Sequence, residues 1–255
     1  MTGRRLSFNA RADEYRLARP PYPERVYDLL AQRCGLGPGT RVVEIGAGTG
    51  QATGELLARG ADVVAVEPGA ALAAQLRADL PGARVVTADF ETADLPEAAF
   101  DLAVSATAFH WVRTEVALPK LARVLRPGGW LAVWWTVFTD HGRSSEFRRG
   151  LDALYRRFLP HEPLDRPPGP LGVESWSAEL AHGGFFGPVE VELIAWQNQL
   201  TRESAQRLFG SFPNVNELAA PDRLALLDAI GSLVDSLGGT VLDPHITAVY
   251  LAPRA

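Results

Sequence analysis

At 255 residues, with 47% hydrophobic and 22% charged residues and with 24 glycines and 19 prolines dispersed rather than repeating, the chain excludes linear, disordered and fibrous architectures and fits one domain carrying an insertion. A net charge of −5 without a basic block removes the electrostatic footprint expected of a nucleic-acid or anionic-membrane binder and favours a small-molecule partner; a homodimer is compatible with it. Cys34 is the single cysteine, so no intrachain disulfide and no zinc-spaced Cys/His cluster are expected; with no apolar leader and no run of about 18 apolar residues, the expectation is a cytoplasmic protein in a reducing compartment, with no metal.

From Pro23 to Phe138 short apolar runs alternate with helix-period segments, the pattern of βαβ units and a parallel sheet. Pro23 opens a helix whose Val26, Leu29 and Leu30 share a face, and glycines 35–39 close it. Strands are expected at 41–45, 62–66, 83–86, 100–105 and 130–138. Between them lie helices through Leu56 and Leu57, through Leu72, Leu76 and Leu80, and through Val116, Leu121, Val124 and Leu125, the last leading into Pro127-Gly128-Gly129. After Asp140, Leu151, Leu154, Tyr155, Phe158 and Leu159 mark an amphipathic helix, and 160–170 reads as a proline-rich loop. A strand at 189–201, helices from Arg202 and over 221–237, and a strand at 246–251 complete the chain. The simplest assembly is a doubly wound, mostly parallel seven-stranded α/β sheet with a late antiparallel pair. Residues 40–138 would form its ligand-binding core, and 1–33 with 140–255 a lid and helical cap.

The strongest chemical signal is Glu44-Ile45-Gly46-Ala47-Gly48-Thr49-Gly50, directly after a strand and opening a helix, where glycines let the backbone approach a nucleotide-like ligand. Gln51 occupies the place where a dinucleotide fingerprint wants its third glycine. Glu67 ends the second strand about 20 residues beyond the loop, where a carboxylate can accept both ribose hydroxyls. Asp89-Phe90 offers an acceptor for an exocyclic amine and an aromatic face for a purine. Trp111, Trp134 and Trp135 are pocket candidates, but neighbours on a strand point to opposite faces, which sends at least one of the last two into the core. Asp140-His141 reads as a solvated loop pair, and His161, His182 and His245 carry no expected role.

At these residues the sequence resembles the class I S-adenosylmethionine-dependent methyltransferases, specifically the small-molecule branch that includes trans-aconitate-type enzymes. The resemblance extends to Ser105-Ala106-Thr107-Ala108-Phe109-His110-Trp111, to Leu125-Arg126-Pro127-Gly128-Gly129, and to Phe8, Ala12, Tyr15, Arg19-Pro20 and Tyr22-Pro23 in the spacing F-x-x-x-A-x-x-Y-x-x-x-R-P-x-Y-P. It implies S-adenosylmethionine as cofactor. Gly46, Ala47, Gly48 and Gly50 would lie along it, Glu44 facing its amino group, Glu67 its ribose, Asp89 and Phe90 its adenine. Tyr15 and Arg19 would close over it, Arg19 suited to the methionine carboxylate. Pro68, Ala106 and Trp111 complete that wall, and Phe8, Tyr22, His110 and Trp135 the acceptor side. Ala47 stands where many relatives carry cysteine, and Thr136 where many carry a polar amide.

Methyl transfer from a sulfonium is an in-line displacement, so alignment and exclusion of water dominate. A carboxylate acceptor needs no base, whereas a hydroxyl or ring carbon loses a proton; His110, just past a strand end, is the best-placed base, with a packed structural histidine as the alternative. Two other classes remain at this stage: a cofactor-binding regulatory protein without transfer, and an NAD-dependent oxidoreductase, the latter disfavoured by Gln51 and by Asp89-Phe90.

Overall fold

The computed structural model describes residues 18–138, 145–160 and 169–255. Phe8, Ala12, Tyr15, Asp140, His141 and His161, together with most of the proline-rich loop, lie outside the described residues. The seven strands are β1 (Arg41–Ile45), β2 (Asp62–Val66), β3 (Arg84–Val86), β4 (Phe100–Ala106), β5 (Leu125–Val137), β6 (Glu190–Thr201) and β7 (Thr240–Pro253). They form one sheet in the order β3-β2-β1-β4-β5-β7-β6. Strands β1 to β5 run parallel, and β7 lies antiparallel between β5 and β6. The helices are α1 (Glu24–Cys34), α2 (Gln51–Ala58), α3 (Ala70–Asp79), α4 (Thr114–Val124), α5 (Glu146–Phe158), α6 (Val173–Ala181), α7 (Arg202–Gly210), α8 (Pro213–Asn216) and α9 (Ala220–Ser236).

Both faces of the parallel part are covered, which is why its strands are apolar throughout rather than alternating. On one face Val43, Ile45, Ala103, Val133 and Trp135 pack with Leu118, Leu121 and Val124 of α4 and with Leu180 of α6. On the other, Val42, Val104, Ala132 and Trp134 pack with Leu30 of α1, Leu56 of α2 and Leu76 of α3. The α4 stripe differs by one position from the expected one: Val116 is exposed, and Ala117 and Leu118 are buried in its place. At the end of α1, Gly35 adopts φ 72° and donates its N–H to the Leu30 carbonyl, the left-handed stop that the glycine cluster implies.

A third cluster, separate from these two, joins Phe147 and Leu151 of α5, Leu208 and Phe209 of α7 and Leu226, Ile230 and Val234 of α9 to Leu200 and Val241 at the far ends of β6 and β7. Two glycines face side chains of neighbouring helices: a Cβ on Gly150 would fall 2.7 Å from Leu233, and one on Gly231 2.8 Å from Gln206, so a larger residue at either site would push those side chains aside.

Three departures from the expected elements have physical causes. β5 starts at Leu125 rather than 130, because the Pro127-Gly128-Gly129 segment is a bulge within the strand: the register against β4 shifts there, and Gly128 has φ 75°. β7 starts at Thr240 rather than 246. Its first residues include Asp243-Pro244-His245, polar and proline-interrupted, yet Asp243 and His245 are fully buried. The Arg148 guanidinium of α5 donates to both Asp243 carboxylate oxygens and to the Phe138 carbonyl, and His245 Nε2 lies 2.8 Å from Asp243 Oδ2. Before Ile246, β7 has β6 as its only ladder partner, so Pro244 interrupts a stretch bonded on one side. Helix α6, absent from the expected elements, docks by Leu180 and Trp176. Among the described residues no helix is long and apolar enough to cross a membrane, and no group of His, Cys, Asp and Glu has a metal-binding arrangement.

Candidate active site

Strand order reverses between β1 and β4, which opens a crevice at their carboxyl ends. A cavity of about 330 Å³ fills it. The loop after β1 forms its floor. Gly46, Gly48 and Gly50 all have positive φ, at 69°, 59° and 89°. Their surroundings differ. A Cβ on Gly46 would sit 2.5 Å from Ala108 of the loop after β4, and one on Gly50 2.3 Å from Leu76 of α3, whereas one on Gly48 would meet no atom within 4 Å. Gly46 and Gly50 therefore serve packing, and Gly50 is not on the cavity wall; Gly48 is, and presents bare backbone to the open space.

Glu67 at the end of β2 is 6% exposed, and its two oxygens accept from the backbone N–H of Gly48 at 2.8 Å and of Gly69 at 2.7 Å. The carboxylate thus braces the glycine loop as well as facing the cavity, and its remaining lone pairs are what a ligand can use. Glu44 is buried at 1% exposure and accepts from Thr53 Oγ1 at 2.5 Å. Burial pushes its pKa up to about 8; the Thr53 hydrogen bond opposes that shift and the nearby Glu67 charge adds to it. At neutral pH Glu44 is mostly a neutral acid on the wall, which a bound cation would convert to a carboxylate.

Phe90 and Pro68 line the cavity, with Leu72 and Val112 adding apolar surface. Lys120 Nζ donates to the Ala93 carbonyl and lies 5.2 Å from the centre of the Phe90 ring, supporting it from behind. Asp89 is half-buried beside the cavity and is not on its wall; its carbonyl accepts from the N–H groups of Thr92 and Ala93. Glu91 takes the neighbouring wall position instead, held by the Arg113 N–H at 3.1 Å.

The loop after β4, packed against Gly46 through Ala108, adds Ala106, Thr107, His110 and Trp111 to the wall. Thr107 has φ 56°, uncommon for a β-branched residue, and its hydroxyl lies 2.8 Å from that of Tyr22. Ser105 ties β4 to β1 through the Ile45 carbonyl. Arg19 reaches the same cavity from the amino-terminal side, its guanidinium carbon 4.6 Å from the Phe138 ring centre and 4.8 Å from that of Phe212. Thr136, hydrogen-bonded to Thr247 at 2.9 Å, and Pro213 complete this end.

The expectation that Trp135 lines a pocket is corrected. At 2% exposure it is core, packed with Trp176 and Tyr250, and Trp134 on the opposite face is fully buried against Tyr22 and Tyr27. Both rings fall under helices because both faces of β5 are covered. Trp135 instead serves the site from behind, donating its indole N–H to His110 Nδ1 at 3.0 Å. Residue-type signals could not have found Thr107, Lys120 or this pairing, since each works through a partner distant along the chain, and Thr53 shows its role only once α2 turns it back onto Glu44.

A sheet of this order, with a glycine loop at its switch point and an acid on the next strand, defines a Rossmann-like class of proteins that bind a nucleotide-containing ligand there. Residues 43–133 match the methyltransferase domain family. An uncharacterized methyltransferase of Mycobacterium tuberculosis is 40% identical over 132 residues, 52% of this chain and 53% of that protein, so the match spans about half the length of that relative. Trans-aconitate 2-methyltransferase of Azoarcus is 30% identical over 225 residues, 87% of this chain and 76% of that enzyme. A solved structure from Anaeromyxobacter dehalogenans described as a type II methyltransferase has a TM-score of 0.66 at 26% identity, covering 92% of this chain and 96% of that chain. The chain belongs to the class I S-adenosylmethionine-dependent methyltransferases.

Proposed function

We propose that this protein transfers the methyl group of S-adenosylmethionine to a carboxylate oxygen of a small organic acid. The observation that carries the reading is one cavity whose wall carries two chemically distinct sets of groups. One set is Gly48, Glu44 and Glu67; the other is Arg19, set against the contacting Phe138 and Phe212 rings, with the paired hydroxyls of Tyr22 and Thr107 and the His110 ring. Gly48 leaves room for a ligand backbone, Glu67 has acceptor capacity for ribose, and Glu44 suits an ammonium, so the residues present fit the cofactor. When bound, S-adenosylmethionine supplies an electrophilic methyl: a carboxylate lone pair forms the new O–C bond while the C–S electron pair stays on sulfur, giving S-adenosylhomocysteine and a methyl ester with no proton transferred.

The chain's own contribution is binding and alignment. Arg19, which the resemblance assigns to the methionine carboxylate of the cofactor, is read instead as the positive charge met by an anionic acceptor, with the Phe138 and Phe212 rings beside it. The similarity to trans-aconitate 2-methyltransferase supports an acid as acceptor. Phe138 and Pro213 stand on the cavity wall, Phe138 packs on the cluster formed by α5, α7 and α9, and these helices would act as the cap that keeps water out. The test is methyl-labelled S-adenosylmethionine with trans-aconitate and a panel of other di- and tricarboxylic acids. The expected product releases labelled methanol in mild alkali, as an ester does. Label held on nitrogen or carbon would overturn the acceptor class, and failure of the protein to bind S-adenosylhomocysteine would overturn the activity.

A further inference from the structure

His110 belongs to a single 3₁₀ turn, Phe109–Trp111, anchored by the fully buried Phe109. Its two ring nitrogens have different fates. Nδ1 lies 3.0 Å from the indole nitrogen of Trp135, and an indole N–H only donates. Nδ1 is therefore the acceptor, and a neutral His110 carries its hydrogen on Nε2. The Trp135 ring cannot swing away to relax this, because it is held 4.3 Å from the Trp176 ring and 6.0 Å from Tyr250 by their centroids. Moving the hydrogen to Nδ1 would set two donors face to face in a packed interior. Nε2 has no partner among the described residues, and the ring stands on the cavity wall.

We infer that His110 is a fixed hydrogen-bond donor to the acceptor through Nε2–H, and that Trp135 is the positioning residue that imposes this tautomer. The inference rests on the methyl-transfer reading and sharpens it: a ring locked as a donor does not remove a proton, so it favours an acceptor oxygen that arrives as an anion. The expectation of His110 as general base is replaced by one of orientation. Burial also holds the His110 pKa below the ordinary histidine value, in keeping with a ring that stays neutral.

The test has one arm that needs no acceptor. Long-range ¹H–¹⁵N spectra of uniformly labelled protein, with His110 assigned by its loss in His110→Gln, should show the Nε2–H tautomer at neutral pH, and Trp135→Phe should convert it to a mixture while S-adenosylhomocysteine affinity stays within about 3-fold. An Nδ1–H tautomer, an imidazolium at neutral pH, or a tautomer indifferent to Trp135→Phe would overturn the inference. The second arm compares single-turnover methyl transfer to trans-aconitate, or to whichever acid of the panel is methylated. His110→Ala should lower the rate by about 10²-fold, the order seen for loss of one positioned donor. His110→Gln, which keeps an N–H but cannot act as a base, should recover most of that loss, and His110→Glu should not. A rescue by Glu and not by Gln would restore the base and overturn the donor. Loss of S-adenosylhomocysteine binding by the unmodified protein would instead overturn the methyl-transfer reading itself, whatever the tautomer.

Discussion

The cofactor end of the cavity is built from neighbours in sequence, its far end from residues half a chain apart. Glu44 and Thr53 are 9 residues apart, and Gly48 and Glu67 are 19 apart, each pair joined across one βα connection. At the other end Thr136 meets Thr247 across 111 residues, and off the cavity wall Arg148, which holds the Phe138 carbonyl, meets Asp243 across 95. The first region needs its glycines and acids in fixed register with the strand ends, so it is demanding about sequence and tolerant of what packs around it. The second depends on a third hydrophobic cluster and on a buried ionic group. Changes in it should act through stability before they act through chemistry.

The largest expected effect breaks the far region. Asp243→Ala removes a fully buried carboxylate bonded by both Arg148 and His245, and should cost about 3–5 kcal/mol in urea unfolding. An unchanged midpoint would show that the buried group holds nothing together. Next, Gly48→Val strikes the near region alone. Its side chain would project into the cavity from a φ of 59°, and S-adenosylhomocysteine affinity should fall by at least about 100-fold, near 2.8 kcal/mol, with the sheet intact by circular dichroism. Full affinity in that variant would remove the glycine loop from the binding site.

Smaller effects sharpen the contrast within the cofactor end. Glu67→Ala should weaken S-adenosylhomocysteine by roughly 1–3 kcal/mol, and a 2′-deoxy analogue should lose much less affinity in the variant than in the parent. Equal losses in both would leave Glu67 as a brace for Gly48 and Gly69 and nothing more. The smallest effect is a proton. Because the folded pKa of Glu44, about 8, exceeds its ordinary 4.5, the ligand-free fold holds a proton there that the unfolded chain has lost. Its contribution is fully present below about pH 4.5 and declines as pH rises through 8. Glu44→Gln should flatten that decline. Calorimetry at pH 7 in buffers of different ionisation enthalpy should show more proton release on S-adenosylhomocysteine binding in the parent than in Glu44→Gln; identical release would place the ammonium elsewhere.

Much of the near region was legible in advance. A run of apolar residues of strand length, a helix-period segment and a glycine at the junction each state a local backbone requirement, and they led to β1, β2 and β4 within a residue of where they lie. The strand expected at 246–251 leaves out Asp243-Pro244-His245, polar residues and a proline that argue against a strand interior, and their burial is made tolerable by Arg148 of α5, which bonds Asp243, and by the His245–Asp243 contact. The resemblance placed Trp135 on the acceptor side of the pocket, and the structure buries it in the core. Its fate depended on α6, a helix with too few periodic residues to be foreseen.

What the amino-acid sequence determined by itself is the alternation of strands and helices, the switch-point loop and the acids that follow it, since periodicity and φ preference are carried by contiguous residues. Which atom of His110 bears a hydrogen, which tryptophan is core and how a buried arginine is neutralised were decided by the tertiary structure. Each is the choice of a partner for a buried polar group, and the partner is set by which distant side chains the packed layers bring within about 3 Å, not by any residue's neighbours in the chain.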